Sequence, residues 1–198
     1  MKDLKLVQPP IPCGSPSYYC PANSTAPYYV DDGYYSIGGF GPITRTNQII
    51  APKGFYAING EVFKCPPGTF GNKSGLMNEE CSGLCYGGYY CPAGSVSGDE
   101  VPCGRYQYCP EGSAFPLFVR RGFYTTISNL TNDYGKETEG LHYDDAKPLS
   151  HQMEEYECPY GHFCRNAVRF KCFSGTFGDK VRITCFEKTL SILLETFD

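Results

Sequence analysis

The stretch Cys85-YGGYY-Cys91 carries a cysteine at each end and an aromatic residue, Tyr90, just before the second cysteine. Three other stretches follow the same pattern, and they read Cys13-GSPSYY-Cys20, Cys103-GRYQY-Cys109 and Cys158-PYGHF-Cys164. Three of the four loops run directly into proline, at Pro21, Pro92 and Pro110. Loops of this kind indicate a chain stapled by disulfides, which is more typical of a binding or building module than of a catalyst.

The composition points the same way. The 198 residues include 12 cysteines, an even number that is typical of an oxidising compartment. Glycine and proline number 23 and 16, which disfavours long regular helices or strands. The 17 tyrosines suit thin, half-exposed structures, because the ring can be buried while the hydroxyl stays in water. We therefore predict a small disulfide-rich, mainly β fold made of tandem elongated cysteine-rich modules of short hairpins, with little helix.

Charge and hydropathy exclude several classes of partner. The net charge is −4 and there is no long basic run, which argues against nucleic-acid binding. No apolar stretch approaches the roughly 20 residues that cross a bilayer, so we expect no membrane span in this segment. The first residues, MKDLKLVQPP, lack the apolar core of a signal peptide. Because the cysteines require secretion, either a signal has been removed or the chain is part of a longer one, and we favour the second.

The chain resembles itself in two blocks. Residues 20–36 match residues 109–125 without a gap at an offset of 89, and residues 54–71 match residues 161–178 at an offset of 107. Repetition of this kind predicts similar, stacked units. The change of offset predicts a polar surface excursion at about 126–157 of the second copy.

These blocks divide the chain into three parts. We predict an extended Pro-rich arm at 1–11, a first cysteine-rich repeat unit at 12–101 and a second unit at 102–198 with a truncated end. In that end, a helical spacing relates Leu190, Leu193, Leu194 and Phe197. The pattern fits a short capping segment or a docking segment for another chain equally well.

The repeat constrains the cysteine pairing. The second unit gains Cys158 and Cys164 together and lacks counterparts of Cys85 and Cys91 together, which is simplest if neighbours pair. We predict the pairs 13–20, 65–81, 85–91, 103–109, 158–164 and 172–185, that is, disulfides at Cys13, Cys20, Cys65, Cys81, Cys85, Cys91, Cys103, Cys109, Cys158, Cys164, Cys172 and Cys185. The main rival is a crossed pattern of 85–103 with 91–109.

Reactive and metal-binding constellations are not expected. A zinc site is disfavoured because there is no C-x-x-C pair and the histidines are not spaced as ligands. Paired acids such as Asp31-Asp32 lack the alternating oxygen spacing of a calcium loop. No phosphate-binding glycine loop or hydrolase motif is present. We therefore predict no enzymatic activity, no metal and no cofactor.

The segment from Phe63 to Gly104 resembles the ephrin-receptor-like cysteine-rich repeat, which is related to the tumour-necrosis-factor-receptor and growth-factor-receptor cysteine-rich modules. The matching residues are the run from Cys65 to Gly71, then Cys81 and Cys85, then Gly88 to Pro92. The resemblance implies an extracellular, mostly non-enzymatic module of short β-hairpins. Tandem arrays of it are similar to those in large surface proteins of protists and algae, including flagellar-hair proteins.

Two further sets of residues are candidate sites. N-glycosylation sequons lie in expected loops at Asn23, Asn72 and Asn129. The repeat alignment also places opposite charges at equivalent positions, which predicts head-to-tail contact between subunits or, equally, two exposed turns of no consequence. These charged residues are Asp31, Asp32, Arg120 and Arg121.

The favoured function is a non-catalytic structural subunit of a glycosylated extracellular, cell-surface fibre or flagellar-hair-like filament. Its partners would be protein, either copies of itself or related repeats in a polymer, together with N-linked glycans. The alternative is a receptor or adhesion ectodomain that binds a protein ligand. An enzyme or protease inhibitor ranks last.

Overall fold

The structure is a computed structural model that describes residues 11–126, 151–177 and 186–187. The Pro-rich arm up to residue 10, the Leu190 to Phe197 pattern, Asn129 and Cys185 lie outside these residues, so the expectations made for them stay predictions. Within the described residues there is no helix, and the fold is a small, disulfide-rich, mainly β structure. No helix among these residues is long and apolar enough to cross a membrane.

The first half of the chain forms five short β-hairpins in sequence. Each pairs two consecutive strands into its own two-stranded sheet. The hairpins are β1–β2 (Tyr18–Tyr19, Tyr28–Tyr29), β3–β4 (Tyr34–Ile37, Asn47–Ile50), β5–β6 (Phe55–Ile58, Glu61–Lys64), β7–β8 (Thr69–Phe70, Gly83–Leu84) and β9–β10 (Tyr89–Tyr90, Val101–Pro102).

The second half continues the series with four more hairpins. They are β11–β12 (Gln107–Tyr108, Leu117–Phe118), β13–β14 (Phe123–Thr126, Glu154–Glu157), β15–β16 (His162–Arg165, Val168–Lys171) and β17–β18 (Thr176–Phe177, Phe186–Glu187). The strands are at most four residues long, as expected for a chain so rich in glycine and proline.

The structural elements repeat at the offsets found in the sequence. Strands β1 to β3 recur 89 residues later as β11 to β13, and β4 to β7 recur 107 residues later as β14 to β17, with the same lengths. The change of offset therefore falls between β13 and β14. The expected excursion at 126–157 is too long, because Thr126 belongs to β13 and residues 154–157 form β14.

Two compact units are present, and each is described by itself. The first comprises Met1–Pro66, Phe70–Gly83 and Ala93–Val96, and the second comprises Pro67–Thr69, Leu84–Pro92 and Ser97–Asp198. The boundary between repeat units at 101 and 102 rests on sequence similarity and stays a prediction.

In the first unit, a backbone hydrogen bond of one recurring kind joins each hairpin to the next. The first strand of a hairpin, or the residue just after that strand, donates its N–H to a carbonyl in the connection between the strands of the following hairpin. The donor–acceptor pairs are Cys20 to Arg45 (2.8 Å), Ser36 to Gly60 (2.9 Å), Ala57 to Leu76 (2.8 Å) and Gly71 to Ser95 (2.9 Å).

The second unit follows the same rule. Its pairs are Cys91 to Ser113 (3.0 Å), Cys109 to Gln152 (2.9 Å) and Thr125 to Ala167 (3.0 Å). Two of these bonds are repeat equivalents of bonds in the first unit, since Cys109 to Gln152 matches Cys20 to Arg45 and Thr125 to Ala167 matches Ser36 to Gly60. Because the contacts use backbone atoms, they tolerate changes of side chain.

Disulfides take the place of a hydrophobic core. Among the described residues, the buried apolar side chains include no leucine, isoleucine or valine. They are Cys13, Ala51, Ala57, Cys65, Phe70, Cys85, Cys91, Cys103, Cys109, Cys158, Cys164, Ala167 and Phe170. A chain with so little aliphatic burial depends on covalent staples and backbone hydrogen bonds for its stability.

Candidate functional site

The cysteines are structural, and neighbours pair. Five of the predicted disulfides are present, namely Cys13–Cys20, Cys65–Cys81, Cys85–Cys91, Cys103–Cys109 and Cys158–Cys164. Their Cα atoms lie 5.8 to 6.0 Å apart, which is ordinary for disulfides. The crossed alternative is therefore wrong. Cys172 is disulfide-bonded, and because its expected partner Cys185 lies outside the described residues, that pairing stays a prediction.

The described residues offer no metal centre. No group of three or more His, Cys, Asp or Glu side chains in the ranges 11–126, 151–177 and 186–187 is arranged to hold an ion. The described cysteines are all bound in disulfides, so no thiolate is left as a ligand or nucleophile in this part of the chain.

The acidic turn before β3 is held by a glutamine. The backbone N–H of Asp31 donates to Oε1 of Gln48 at 2.8 Å, and the Gln48 amide donates to the Asp31 carboxylate. Gln48 lies in β4, so the pair ties the turn to the far strand of the hairpin. Asp31 and Asp32 are both exposed.

The basic turn before β13 is held in the same way by a glutamate. The backbone N–H of Arg120 donates to Oε2 of Glu155 at 3.0 Å, and its Nε donates to Oε1 at 2.6 Å. Glu155 lies in β14 at the repeat equivalent of Gln48. Its side chain is only 7% exposed, whereas that of Arg120 is 65% exposed. The contact is therefore a nearly buried carboxylate capped by an exposed guanidinium.

Two aromatic residues complete the surroundings of Glu155. The pKa of the Tyr108 phenol is raised, by burial first and then by the negative charge of Glu155 and hydrogen bonding to it, against the opposing effect of Arg120. The guanidinium carbon of Arg120 also lies 3.9 Å from the centre of the Phe123 ring, within cation–π range.

The four charged candidate residues thus separate into two pairs. Asp31 and Arg120 are engaged within the chain, so their side chains serve the hairpins to which they belong. Asp32 and Arg121 are exposed, and neither side chain makes a hydrogen bond or an ion pair in the described part of the chain. Sequence reasoning missed Gln48 and Glu155. Extending the alignment at the offset of 107 back from residue 54 to residue 48 would have shown that they are equivalent positions.

Two of the three sequons lie on the surface. Asn23 is exposed in a turn with a positive φ of 64°, a conformation that asparagine tolerates well. Asn72 is exposed just after β7. In both sequons the hydroxyl residue two positions later, Thr25 or Ser74, is exposed as well. The third sequon at Asn129 lies outside the described residues.

The first hairpin carries a cluster of four tyrosines that the sequence reasoning did not single out. Tyr18 lies opposite Tyr29, and Tyr19 lies opposite Tyr28. The ring centres of the first pair are 4.5 Å apart and those of the second pair are 5.7 Å apart. The signal for this cluster was the two Tyr-Tyr doublets that flank Cys20.

No protein-family model matches the chain, and no curated protein is significantly similar to it.

Proposed function

We propose that this chain is a non-catalytic structural repeat protein, a subunit of a glycosylated extracellular fibre or flagellar-hair-like filament, built from modules of the ephrin-receptor-like cysteine-rich kind. The observation that carries the proposal is the recurring backbone hydrogen bond from one hairpin to the next, present at every step from β1–β2 to β15–β16. A chain in which each small element needs only its neighbours can be extended without a common core.

The disulfides support the extracellular part of the proposal. Five disulfides in the described residues are typical of secreted or extracellular proteins. Four of them close loops of only six or seven residues, so each staples one turn rather than joining distant parts of the chain. Each of these staples fixes the short turn that leads into one strand, so it acts locally within the series of hairpins.

The exposed sequons support glycosylation. An acceptor asparagine has to be reachable by a large enzyme, and Asn23 and Asn72 meet that condition. Mass analysis of intact glycopeptides from protein secreted by eukaryotic cells tests this part. Finding Asn23, Asn72 and Asn129 all bare would remove glycans from the proposal.

Of the four charged candidate residues, we assign the contact between subunits to Asp32 and Arg121, the two that are not engaged within their own hairpins. Asp32 of one subunit would meet Arg121 of the next, since these residues stand at equivalent positions and carry opposite charge. A heterologous contact of this kind does not close on itself, and it builds open filaments. Asp31 and Arg120 contribute indirectly, because they hold the turns that present Asp32 and Arg121.

Electron microscopy of the secreted protein tests the assembly. We expect filaments with a fixed axial repeat, which are weakened by Asp32→Lys or Arg121→Glu alone and restored when both changes are combined. Glu79→Lys and Arg105→Glu are matched controls, since both residues are exposed and lie outside the charged turns. Monodisperse particles at every concentration would overturn the filament proposal and favour a receptor or adhesion ectodomain.

A further inference from the structure

Tyr18 and Tyr29 are joined through their phenols as well as through their strands. They are direct cross-strand neighbours, and the Tyr18 hydroxyl donates a hydrogen bond to the Tyr29 hydroxyl at 2.9 Å. Their ring centres are 4.5 Å apart with the ring planes inclined by 42°. The side chain of Tyr29 is largely open to solvent, since the residue is 73% exposed.

This geometry holds the reactive carbons of two phenols together. A tyrosyl radical carries its unpaired electron on the phenolic oxygen and on the two ring carbons next to the C–O carbon. Hydroxyls in hydrogen-bond contact on rings this close place an ortho carbon of one ring beside an ortho carbon of the other. Pre-positioning of this kind raises the rate of a coupling far above that of free phenols in solution.

We propose that Tyr18 and Tyr29 are a site of oxidative crosslinking, at which a peroxidase and hydrogen peroxide join the two rings into an intrachain dityrosine. Each phenol gives up one electron and one proton, and the two radicals form a carbon–carbon bond between ortho positions. Each ring then loses its ortho hydrogen as a proton and regains its phenol. In sum, two tyrosines lose two hydrogens, and one hydrogen peroxide is reduced to two waters.

Other tyrosine pairs are less well placed. Tyr19 and Tyr28 occupy the opposite face of the same hairpin with ring centres 5.7 Å apart, and no hydrogen bond is found between their hydroxyls in the described structure. Tyr124 and Tyr156 are 6.0 Å apart, and the Tyr156 hydroxyl donates to Glu154 instead. The second copy of the hairpin has Gln107 and Phe118 at the positions of Tyr18 and Tyr29.

The crosslink would add a second covalent tie to this hairpin. The Cys13–Cys20 disulfide lies wholly on the β1 side, so it does not connect β1 to β2. A bond between the rings would make that connection and would survive reduction. The proposal is independent of filament formation, because both tyrosines belong to one chain.

The test uses the whole folded protein at low concentration, treated with peroxidase and limiting hydrogen peroxide. After reduction and alkylation, cleavage on the carboxyl side of proline separates the strands at Pro21 and Pro27. We expect a peptide with Tyr18 to stay joined to a peptide with Tyr29, at the summed mass less two hydrogens. Each peptide contains both tyrosines of its doublet, so the mass alone does not show which two rings are bonded. Two double variants identify them.

The double variant Tyr18→Phe with Tyr29→Phe should lose the joined peptide, and Tyr19→Phe with Tyr28→Phe should keep it. Slow hydrogen exchange of the Val30 amide, which donates to the Ser17 carbonyl across the hairpin at 2.9 Å, verifies that the hairpin still folds in each variant. The reverse pattern of loss would overturn the assignment. Crosslinked dimers as the main product, with no intrachain product, would overturn the proposal as well.

Discussion

Gln48 and Glu155 occupy equivalent positions in the two copies of the repeat, and each accepts a backbone N–H from the turn before the preceding strand. The residue that supplies this backbone N–H has changed from Asp31 to Arg120, and the acceptor has changed from an amide to a carboxylate. The two changes match, because an amide can donate to Asp31 and a carboxylate can accept from Arg120. The reversal of charge between the two turns is therefore explained within each hairpin, because the residue that pairs with the turn changes together with the turn residue.

The first prediction concerns Glu155. Replacing it with alanine leaves the backbone N–H and the Nε of Arg120 without this acceptor, so we expect a loss of about 1–3 kcal/mol in the free energy of unfolding. Glu155→Gln should cost less, because Gln48 shows that an amide fits the same place. Denaturant unfolding with the disulfides intact measures both. Equal losses for the two variants would mean that the charge, and not the hydrogen bonding, stabilises the turn.

The second prediction is the reciprocal change in the first copy. Gln48→Glu replaces an amide donor by a second carboxylate beside Asp31, which should destabilise the hairpin by about 1 kcal/mol near neutral pH. Repulsion raises the folded-state pKa of the two carboxyls, so the lost stability should return as the pH falls toward their ordinary values near 4. Adding Asp31→Arg to Gln48→Glu recreates the second-copy pair and should restore stability at neutral pH. A double variant no more stable than Gln48→Glu alone contradicts this pairing.

The third prediction concerns alkaline pH. The pKa of Tyr108 is raised by burial and by Glu155, so the folded state holds this proton more tightly than the unfolded state does. The resulting stability is fully present below the unfolded value of about 10 and is lost as the pH rises through the folded value. Tyr108→Phe should therefore flatten the fall of stability above pH 10.

Thermal unfolding as a function of pH, compared between the wild type and Tyr108→Phe, provides the measurement. Tyr19→Phe is the matched control, because Tyr19 is the repeat equivalent of Tyr108 and lies in β1 without a carboxylate partner among the described residues. An alkaline profile of Tyr108→Phe identical to that of the wild type would show that this phenol does not titrate differently in the fold.

The repeat and the disulfide pairing could be predicted from the sequence because cysteines and glycines are fixed by covalent chemistry or by backbone conformation. The arrival of Cys158 and Cys164 as a pair was enough to favour local closure. Strand β14 could not be found in this way. Its sequence EEYE shares no residue with NQII of β4, since the strand is held by backbone hydrogen bonds and by one side chain whose identity changes with its partner.

The last prediction concerns the turn between β5 and β6. Asn59 and Gly60 both have positive φ, at 53° and 77°, and the equivalent residues Asn166 and Ala167 have φ of 53° and 62°. Such two-residue turns need positive φ at both positions, which an alanine adopts only with strain. Gly60 is also in close contact with its surroundings, because a Cβ there would lie 1.9 Å from the carbonyl oxygen of Pro16.

Gly60→Ala should therefore destabilise the protein by more than the roughly 1 kcal/mol that positive φ alone costs an alanine. Ala167→Gly is the matched control in the other copy, where the turn already accommodates a Cβ, and it should change stability by less than about 1 kcal/mol. Denaturant unfolding of the two variants gives the comparison. If Gly60→Ala costs no more than the conformational strain, the close approach of the Pro16 carbonyl does not constrain this turn.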